Sequence, residues 1–206
     1  MSTHHITEEM VSDKMIFTES VEHTILKGML ESECNVMIAH NAPFDVSMLI
    51  KEGITPVNVI DTLKLIRHSD PNMLMERHNL QYLRYYLKLD KDLPEKTVIN
   101  PHDAMSDVYI LELLFWHIFN IAKNSGKFNT DNDILNYMIK RSKDPVVICK
   151  FNFGKHIGKS VVEIAETDMN YIDWLLKQKM QEEADGNKDE DWIHTLNLAK
   201  NGILKR

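Results

Sequence analysis

In the first half of the chain, short apolar runs alternate with segments whose apolar residues have helical spacing. Short apolar runs at Val36–Ala39 and Pro56–Asp61 have the length and composition of buried strands. Residues with helical spacing follow each run, at Asn41–Lys51 and at Thr62–His68, and Asn41 is placed to cap its helix. Further helices are predicted at Val21–Glu33, Asn79–Leu87 and Asp103–Asn124. Strands that alternate with helices indicate an α/β layer in which helices cover a sheet.

A polar, turn-rich segment, KNSGKFNTDND, separates this first half from the rest of the chain. It predicts a boundary between an α/β domain, residues 1–128, and a small α+β module, residues 129–206. The module is expected to contain a helix at Ile134–Arg141, a strand at Val146–Phe153 and a helix at Met169–Met180. An acidic loop and a short C-terminal helix complete it.

The composition is that of a globular protein with a sizeable core. Of the 206 residues, 43% are hydrophobic and 27% are charged. No stretch of the sequence approaches the apolar length of a membrane span, and the N-terminus lacks the basic head and apolar run of a secretory signal. Cys34 and Cys149 are too few and too isolated for a disulfide framework or a zinc site. A reducing cytoplasm is therefore the expected location.

The net charge of −7 argues against a nucleic-acid partner, but the charge is unevenly distributed. Between Lys140 and Ser160 six basic residues face a single acidic one, Asp144, which gives a local balance of +5. Such a stripe is able to meet a phosphate backbone even on an acidic protein. A solvated basic face explains the same composition equally well.

Two short motifs carry candidate chemistry. HNAPFD places Asp45 in the first turn of a predicted helix directly after a strand, and HDAMSD places His102 just before the long helix and Asp107 one turn into it. A buried carboxylate is costly unless a cation neutralises it. Carboxylates that hold divalent ions, beside a histidine that is free to act as a base, suit phosphodiester hydrolysis. Each residue alone also fits a plainer role, because acidic side chains favour helix N-termini.

The stretches IAHNAPFD, VIDTLKLIRH and NPHDAMSDVYILELL together resemble the second and third signature motifs of the DEDDh, or DnaQ-like, 3′–5′ exonucleases. The resemblance extends from residue 4 to about residue 119 and implies a ribonuclease H-like exonuclease fold. It implies that Asp45 and Asp107 are metal-site carboxylates for Mg²⁺ or Mn²⁺ and that His102 is the general base. It also implies that the site near the substrate is lined by His40, Asn41 and Phe44.

The sequence departs from this family at its first motif, a strand that carries Asp-x-Glu, which is absent here. Two of the four metal-site carboxylates are then missing, and the matching residues include two of the five strands of the family's sheet. The fold and the metal site are thus expected to be N-terminally incomplete. Either the chain is cut short or begins at an internal methionine, or it is a degenerate relative that no longer cleaves. The retained His102 and Asp107 favour the first alternative.

The segment FGKHIGKS, at residues 153–160, has the context of a phosphate-binding P-loop. Three residues separate its glycines, whereas the Walker pattern requires four, which argues against nucleotide hydrolysis. Together with the residues after it, the segment looks like the small C-terminal module of exodeoxyribonuclease X-type nucleases. That resemblance implies that Lys155, His156 and Lys159 contact DNA phosphates.

The same resemblance predicts where the aromatic residues of this module lie. Tyr171 and Trp174 are expected in its core. Phe151 and Phe153 have two alternatives: they provide a stacking platform for single-stranded nucleic acid, or they pack against the following helix.

The sequence supports two hypotheses of different classes. The first is a metal-dependent 3′–5′ exonuclease that hydrolyses single-stranded 3′ ends of DNA in repair or proofreading, with a polymerase or repair complex as its partner. The second is a catalytically inactive module that binds nucleic acid or a polymerase. The missing Asp-x-Glu pair favours the second for this chain, and the intact His102 and Asp107 favour the first for its parent protein. An exposed sheet edge predicts a homo-oligomer.

Overall fold

The computed structural model describes residues 7–70, 74–91, 104–184 and 189–204. The chain divides into two compact units, Met1–Ile60 and Asp61–Arg206. The domain boundary predicted after residue 128 is a different division of the chain, and it stays a prediction.

The first unit contains a strand–helix–strand arrangement. Its elements are α1 (Glu8–Val11), a 3-10 turn (Phe17–Glu19), α2 (Val21–Leu30), β1 (Met37–Ala39), α3 (Ala42–Lys51) and β2 (Val59–Asp61), whose last residue opens the second unit. β1 and β2 pair in a two-stranded parallel sheet, in which the amide of Met37 donates to the carbonyl of Asn58 at 2.9 Å. α3 provides the crossover that parallel strands need. The predicted strands and the helix between them are confirmed.

The outer face of α2 is apolar and exposed. Val21, Ile25 and Met29 recur at four-residue spacing and are 71%, 57% and 53% exposed. Hydrogen bonds fasten the other side of this helix, because His23 Nε2 donates to the carbonyl of Glu52 at 2.8 Å and Lys27 Nζ donates to the carbonyl of Gly53. These bonds tie α2 to the connection between α3 and β2.

The described part of the second unit is helical. Its helices are α4 (Thr62–Ser69), α5 (Leu80–Tyr86), α6 (Ala104–Asn124), α7 (Asp131–Lys143), α8 (Val161–Thr167), α9 (Met169–Ala184) and α10 (Glu190–Lys200). The helices α4, α5 and α7 are among those with side-chain caps: Asp61 accepts from the amides of Leu63 and Lys64, Asn79 accepts from Tyr82, and Thr130 and Asp133 form a capping box. The sequence predicted these three helices, and they are confirmed.

α6 is the helix against which α4, α5 and α7 pack. Its Leu114 forms a buried cluster with Ile66 of α4 and Leu83 of α5. The opposite face is exposed, with Tyr109 at 52% and Trp116 at 48%. By length and composition alone α6 could cross a membrane, which corrects the expectation that no stretch approaches that length. Helices of soluble cores pass the same test, and α6 packs against three neighbours here.

A second core lies in the C-terminal part of this unit. Buried side chains of the segment before α8 and of α8, α9 and α10 form one cluster that includes Phe151, Ile172, Trp192 and Leu196. Phe151 is 1% exposed, so it packs against the helices and does not form a surface platform. Phe153 packs edge-on against the indole of Trp192, with 5.1 Å between ring centroids. The helix predicted at Met169–Met180 is confirmed within α9, whereas α8, which ends before Asp168, was not predicted.

The strand predicted at Val146–Phe153 is wrong. Among the described residues this segment makes one isolated antiparallel bridge, between Lys150 and Ser160. The first part of the segment bonds to side chains of α10: the amide of Val146 donates to Asp191 Oδ1 at 2.8 Å, and that of Ile148 donates to Thr195 Oγ1 at 2.9 Å. The later part bonds to the backbone of the turn before α8, where the amide of Phe151 donates to the carbonyl of Lys159 at 2.9 Å. The apolar run that suggested a strand reflects burial against a helix, because β-propensity measures packing more than pairing.

Candidate active site

The junction of β1 and α3 places Asp45 where the sequence predicts it. The chain leaves the sheet after Ala39, turns at Asn41 with φ 75° and ψ 51°, and enters α3 at Ala42. This left-handed conformation is uncommon for residues other than glycine, and asparagine adopts it more readily than most. Asp45 lies in the first turn of α3 and is exposed, and no basic side chain pairs with it in the part of the chain that the structure describes.

Three residues at the same junction were predicted to line the site near the substrate. His40 is half-buried, and Asn41 occupies the N-cap position, although its side chain makes no cap hydrogen bond to α3. The ring of Phe44 is 65% exposed in the first turn of the helix. The turn therefore presents an apolar ring and a carboxylate on neighbouring residues. A role at a substrate stays a prediction for all three.

Asp107 lies in the first turn of α6, half-buried where that helix packs against α5. Gln81 of α5 donates a hydrogen bond from its side-chain nitrogen Nε2 to Asp107 Oδ1 at 3.1 Å. Within residues 7–70, 74–91, 104–184 and 189–204, no lysine, arginine or histidine pairs with this carboxylate. This half-buried carboxylate therefore has a neutral hydrogen-bond partner and no cationic one within the described chain.

His102, the predicted general base, and Asp103, the predicted cap of the long helix, lie outside the described residues. The prediction for His102 therefore rests on its place in the motif. Its position five residues before Asp107 is a fact of the sequence.

Asp45 and Asp107 meet some of the requirements of a site for a divalent ion. Asp45 belongs to the first unit and Asp107 to the second, and the described residues contain no group of three His, Cys, Asp or Glu side chains that could hold a metal ion. Both residues supply carboxylate oxygen, the donor that Mg²⁺ and Mn²⁺ prefer. The donor type therefore suits a hydrated divalent ion, while the number of donors falls short of a complete site.

The turn between Phe151 and Ser160 contains the three residues predicted to contact phosphate. Lys155 Nζ lies 2.7 Å from Asp168 Oδ2, and His156 Nε2 lies 3.1 Å from the same oxygen. Hydrogen bonds from Lys155 and His156 lower the pKa of the Asp168 carboxyl. Lys159 is exposed, and its side chain has no partner among the described residues. Asp168 thus offsets part of the positive charge of this turn. The contact of Lys155, His156 and Lys159 with DNA phosphates stays a prediction.

Sequence reasoning missed two further residues. Gln81 beside Asp107 has no signal in the sequence, because its relation to the carboxylate depends on how two helices pack. Trp174 is 53% exposed, so its predicted place in the core is wrong. The helical period could have shown this, since Trp174 falls on the exposed face of α9. The buried residues share the other face: Tyr171, Ile172, Leu175 and Leu176. Trp192 of α10 is the buried tryptophan of this core.

Comparisons with known proteins agree with both halves of this description. A family model described as Exonuclease matches residues 1–115, and one described as Exodeoxyribonuclease X-like C-terminal matches residues 151–179. Exodeoxyribonuclease 10 from Escherichia coli strain K12 and its counterpart from Escherichia coli O6:H1 are each 32% identical to this chain over 175 residues, which is 85% of this chain and 69% of the relative. A solved structure, exonuclease X in complex with 5′ overhanging duplex DNA, is 26% identical with a TM-score of 0.45 and covers 69% of this chain and 71% of that one.

Proposed function

The chain belongs to the DnaQ-like exonuclease family, and on that premise we propose that it is a metal-dependent 3′–5′ exonuclease that hydrolyses DNA. Membership confirms the ribonuclease H-like exonuclease fold class that the motifs predicted. The similarity to two exodeoxyribonucleases supports DNA as the substrate. The proposal assigns the single-stranded 3′ end as the substrate, because the sequence motifs resemble those of 3′–5′ exonucleases.

The proposal assigns one role to each residue of the motifs. Asp45 and Asp107 are the residues whose carboxylate oxygens would bind a divalent metal, Mg²⁺ or Mn²⁺. Such a metal would supply charge stabilisation to the phosphodiester under attack. His102 takes the proton of the attacking water, and a histidine suits this task because its ordinary pKa lies near neutral pH. His40, Asn41 and Phe44 contact the nucleotide that is removed.

The observation that supports the proposal most strongly is the state of Asp107. Its carboxylate is half-buried at a helix packing interface, is held by a neutral amide and has no basic partner in the described chain. A carboxylate with only a structural role in such a place would gain from an arginine or lysine partner. A group that binds a divalent cation gains instead from keeping its charge.

Labelled DNA tests the proposal. The purified chain is incubated with single-stranded DNA labelled at either end, with Mg²⁺ or Mn²⁺ present or removed by EDTA. We expect labelled mononucleotide to be released first from 3′-labelled DNA, EDTA to stop the reaction, and His102→Ala to slow it by about 100-fold or more. DNA that stays intact with either metal would refute an enzymatic function, and release that begins at the 5′ end would refute the polarity.

A second candidate function, binding of nucleic acid without cleavage, is favoured by one surface of the C-terminal part. The exposed indole of Trp174 lies 5.5 Å from the ring of Tyr171, with Lys155 Nζ 4.9 Å above that ring, and Lys177 follows one helical turn later. Aromatic faces flanked by basic groups bind single strands by stacking and charge.

Binding in EDTA separates this candidate from catalysis. Under this candidate, Trp174→Ala weakens binding of fluorescent single-stranded DNA by about 1–3 kcal/mol, the usual contribution of one stacked base. Trp116→Ala is the matched control, because Trp116 is exposed to a similar extent on α6. Equal affinity of the wild-type chain and both variants would exclude the Trp174 surface.

A further inference from the structure

The basic stretch between Lys140 and Ser160 begins with residues that neither proposed function uses. These residues, at the C-terminal end of α7 and just after it, line a cavity of about 340 Å³ within the second unit. Its walls come from three parts of the chain that are distant in sequence: α4, the segment 141–147 and α10. A cavity of this size lies at the small end of the range that holds small-molecule ligands.

Basic side chains dominate the polar lining of this cavity. Two arginines and two histidines line it, against one carboxylate: Arg67, His68, Arg141, His194 and Asp144. The remaining wall is uncharged and is formed by Pro145, Val146 and Val147. Like charges that are gathered around one cavity repel one another, and a bound anion relieves that repulsion.

The two guanidinium groups are held in place and still have hydrogen-bond donors to offer. Arg67 Nη1 lies 3.5 Å from Asp191 Oδ2, and Arg141 Nη1 lies 3.1 Å from Asp144 Oδ2. Asp191 cannot give both oxygens to Arg67, because its Oδ1 accepts from the amide of Val146 at 2.8 Å. Each ion pair thus uses one nitrogen of a planar group that has five N–H donors. The other donors suit a phosphate, which arginine binds with two parallel hydrogen bonds.

The histidines extend this basic lining. Burial lowers the pKa of the His68 imidazole, and the positive charge of Arg141 lowers it by more than the negative charge of Asp191 raises it. The cavity is therefore electropositive where His68 lies. His194 is half-buried and has no hydrogen-bond partner among the described residues, so its ring is available to a ligand.

We propose that this cavity is a binding site for a phosphate group, which Arg67 and Arg141 hold by charge-assisted hydrogen bonds and to which His194 donates another. The apolar wall at Pro145 and Val147 contacts the rest of the ligand. Two sources carry such a group, a free mononucleotide and the backbone of DNA. The site shares no residue with the proposed metal site or general base, so it does not depend on the proposed nuclease reaction.

Nuclear magnetic resonance of the histidine rings tests the site on the full chain. The ring signals of His68 and His194 are assigned by their absence from His68→Gln and His194→Gln. Inorganic phosphate, deoxyadenosine monophosphate and a short thymidylate oligomer are added in turn, at constant ionic strength and with EDTA present. The movement of the two signals gives the affinity for each probe and places the binding at this cavity.

Three variants are compared with the wild-type chain, and thermal unfolding shows that each is folded. Arg141→Gln removes one guanidinium and should weaken the binding of every probe by about tenfold or more. His194→Glu places a carboxylate at the cavity and should abolish binding. Arg77→Gln is the matched control, because Arg77 is an exposed arginine outside the cavity that pairs with a neighbouring glutamate, and it should bind as the wild-type chain does.

The probe that binds most tightly identifies the source of the phosphate. Tighter binding of deoxyadenosine monophosphate than of the oligomer would support the site and assign it to a free mononucleotide, whereas the reverse order would support it and assign it to DNA. Ring signals that move with none of the three probes would overturn the proposal, and so would equal affinities of the wild-type chain and Arg141→Gln. An equal loss in Arg77→Gln would also overturn it, because overall charge would then explain the binding.

Discussion

The ring of Phe151 stacks on the indole of Trp192 with 5.2 Å between their centroids and 22° between their planes. One residue comes from the segment before α8 and the other from α10, so the contact joins parts of the chain that are 41 positions apart. Both side chains are almost fully buried, at 1% and 3% exposed. This stacked pair lies at the centre of the C-terminal core.

Phe151→Ala should destabilise the folded chain by about 3–5 kcal/mol, because it removes a buried aromatic ring and leaves a cavity beside Trp192. Urea denaturation followed by tryptophan fluorescence measures the change in the free energy of unfolding. Trp174→Ala removes a larger but exposed ring from the same region and should cost much less. An equal cost for the two substitutions would contradict the assignment of Phe151 to the core.

Two glycines of the basic turn form a matched pair for a backbone test. Gly154 and Gly158 both have left-handed backbones, with φ of 71° and 81°. A Cβ atom at Gly154 would lie 2.6 Å from Oη of Tyr171, whereas one at Gly158 would meet nothing within 4 Å. Gly158→Ala should cost about 1–2 kcal/mol from backbone strain alone, and Gly154→Ala should cost more. Equal losses in urea denaturation would mean that the Tyr171 hydroxyl moves aside without cost.

The ion pairs of Asp168 predict a pH-dependent stability. Hydrogen bonds from Lys155 and His156 lower the pKa of this carboxyl from its ordinary value of 3.8. A lowered pKa in the folded state adds stability above pH 3.8 that is lost as the pH falls through the folded-state value. Asp168→Asn, which keeps a side chain able to cap α9, should lower the melting temperature at pH 7, and its difference from wild type should shrink in acid.

Asp13→Asn is the control for that measurement, because Asp13 pairs with Lys14 on an exposed surface. It should leave the melting temperature unchanged at every pH. A difference between wild type and Asp168→Asn that stays constant from pH 7 to pH 3 would show that the charge of Asp168 has no part in its effect.

His68 predicts a loss of stability at mildly acidic pH. Burial lowers the pKa of this imidazole from 6.5, and the nearby Arg141 guanidinium lowers it further, while its Nε2 lies 3.2 Å from the carbonyl of Asp144. Below pH 6.5 the unfolded chain takes up the proton more readily than the folded one, so the free energy of unfolding falls as the pH falls. His68→Gln should lose less stability than wild type between pH 7.5 and pH 5.5 in urea denaturation. An identical loss in both proteins would contradict this prediction.

Most helices of the chain could be predicted because local signals and tertiary packing agree. The helices at Thr62–His68, Asn79–Leu87 and Ile134–Arg141 were predicted from apolar spacing, and in the structure each has a side-chain cap at its start. The strand predicted at Val146–Phe153 failed because the amides of Val146 and Ile148 bond to side chains of α10, a tertiary feature that no local pattern contains. Periodicity measures burial, and burial against a helix resembles burial in a sheet.

In the candidate site, too, positions set by local sequence could be predicted, and contacts set by helix packing could not. The position of Asp45 after β1 and that of Asp107 in the first turn of α6 followed from apolar periods and helix starts. The contact between Gln81 and Asp107 depends on how α5 and α6 pack, so the sequence carries no sign of it. The expectation that places Trp174 in the core came from the resemblance and went against the helical period of α9, and the helical period was right.

The central claim is that Asp45 and Asp107 act together in one nuclease reaction. The direct measurement is kcat/KM for 3′-labelled single-stranded DNA in Mg²⁺, for the wild-type chain, Asp45→Asn, Asp107→Asn and the double variant, with Asp13→Asn as control. Each single substitution should lower the rate by at least about 100-fold, and the double variant should be little worse than either, because residues that work as one unit are not additive. Wild-type rates in both single variants, or losses that multiply in the double variant, would contradict the claim.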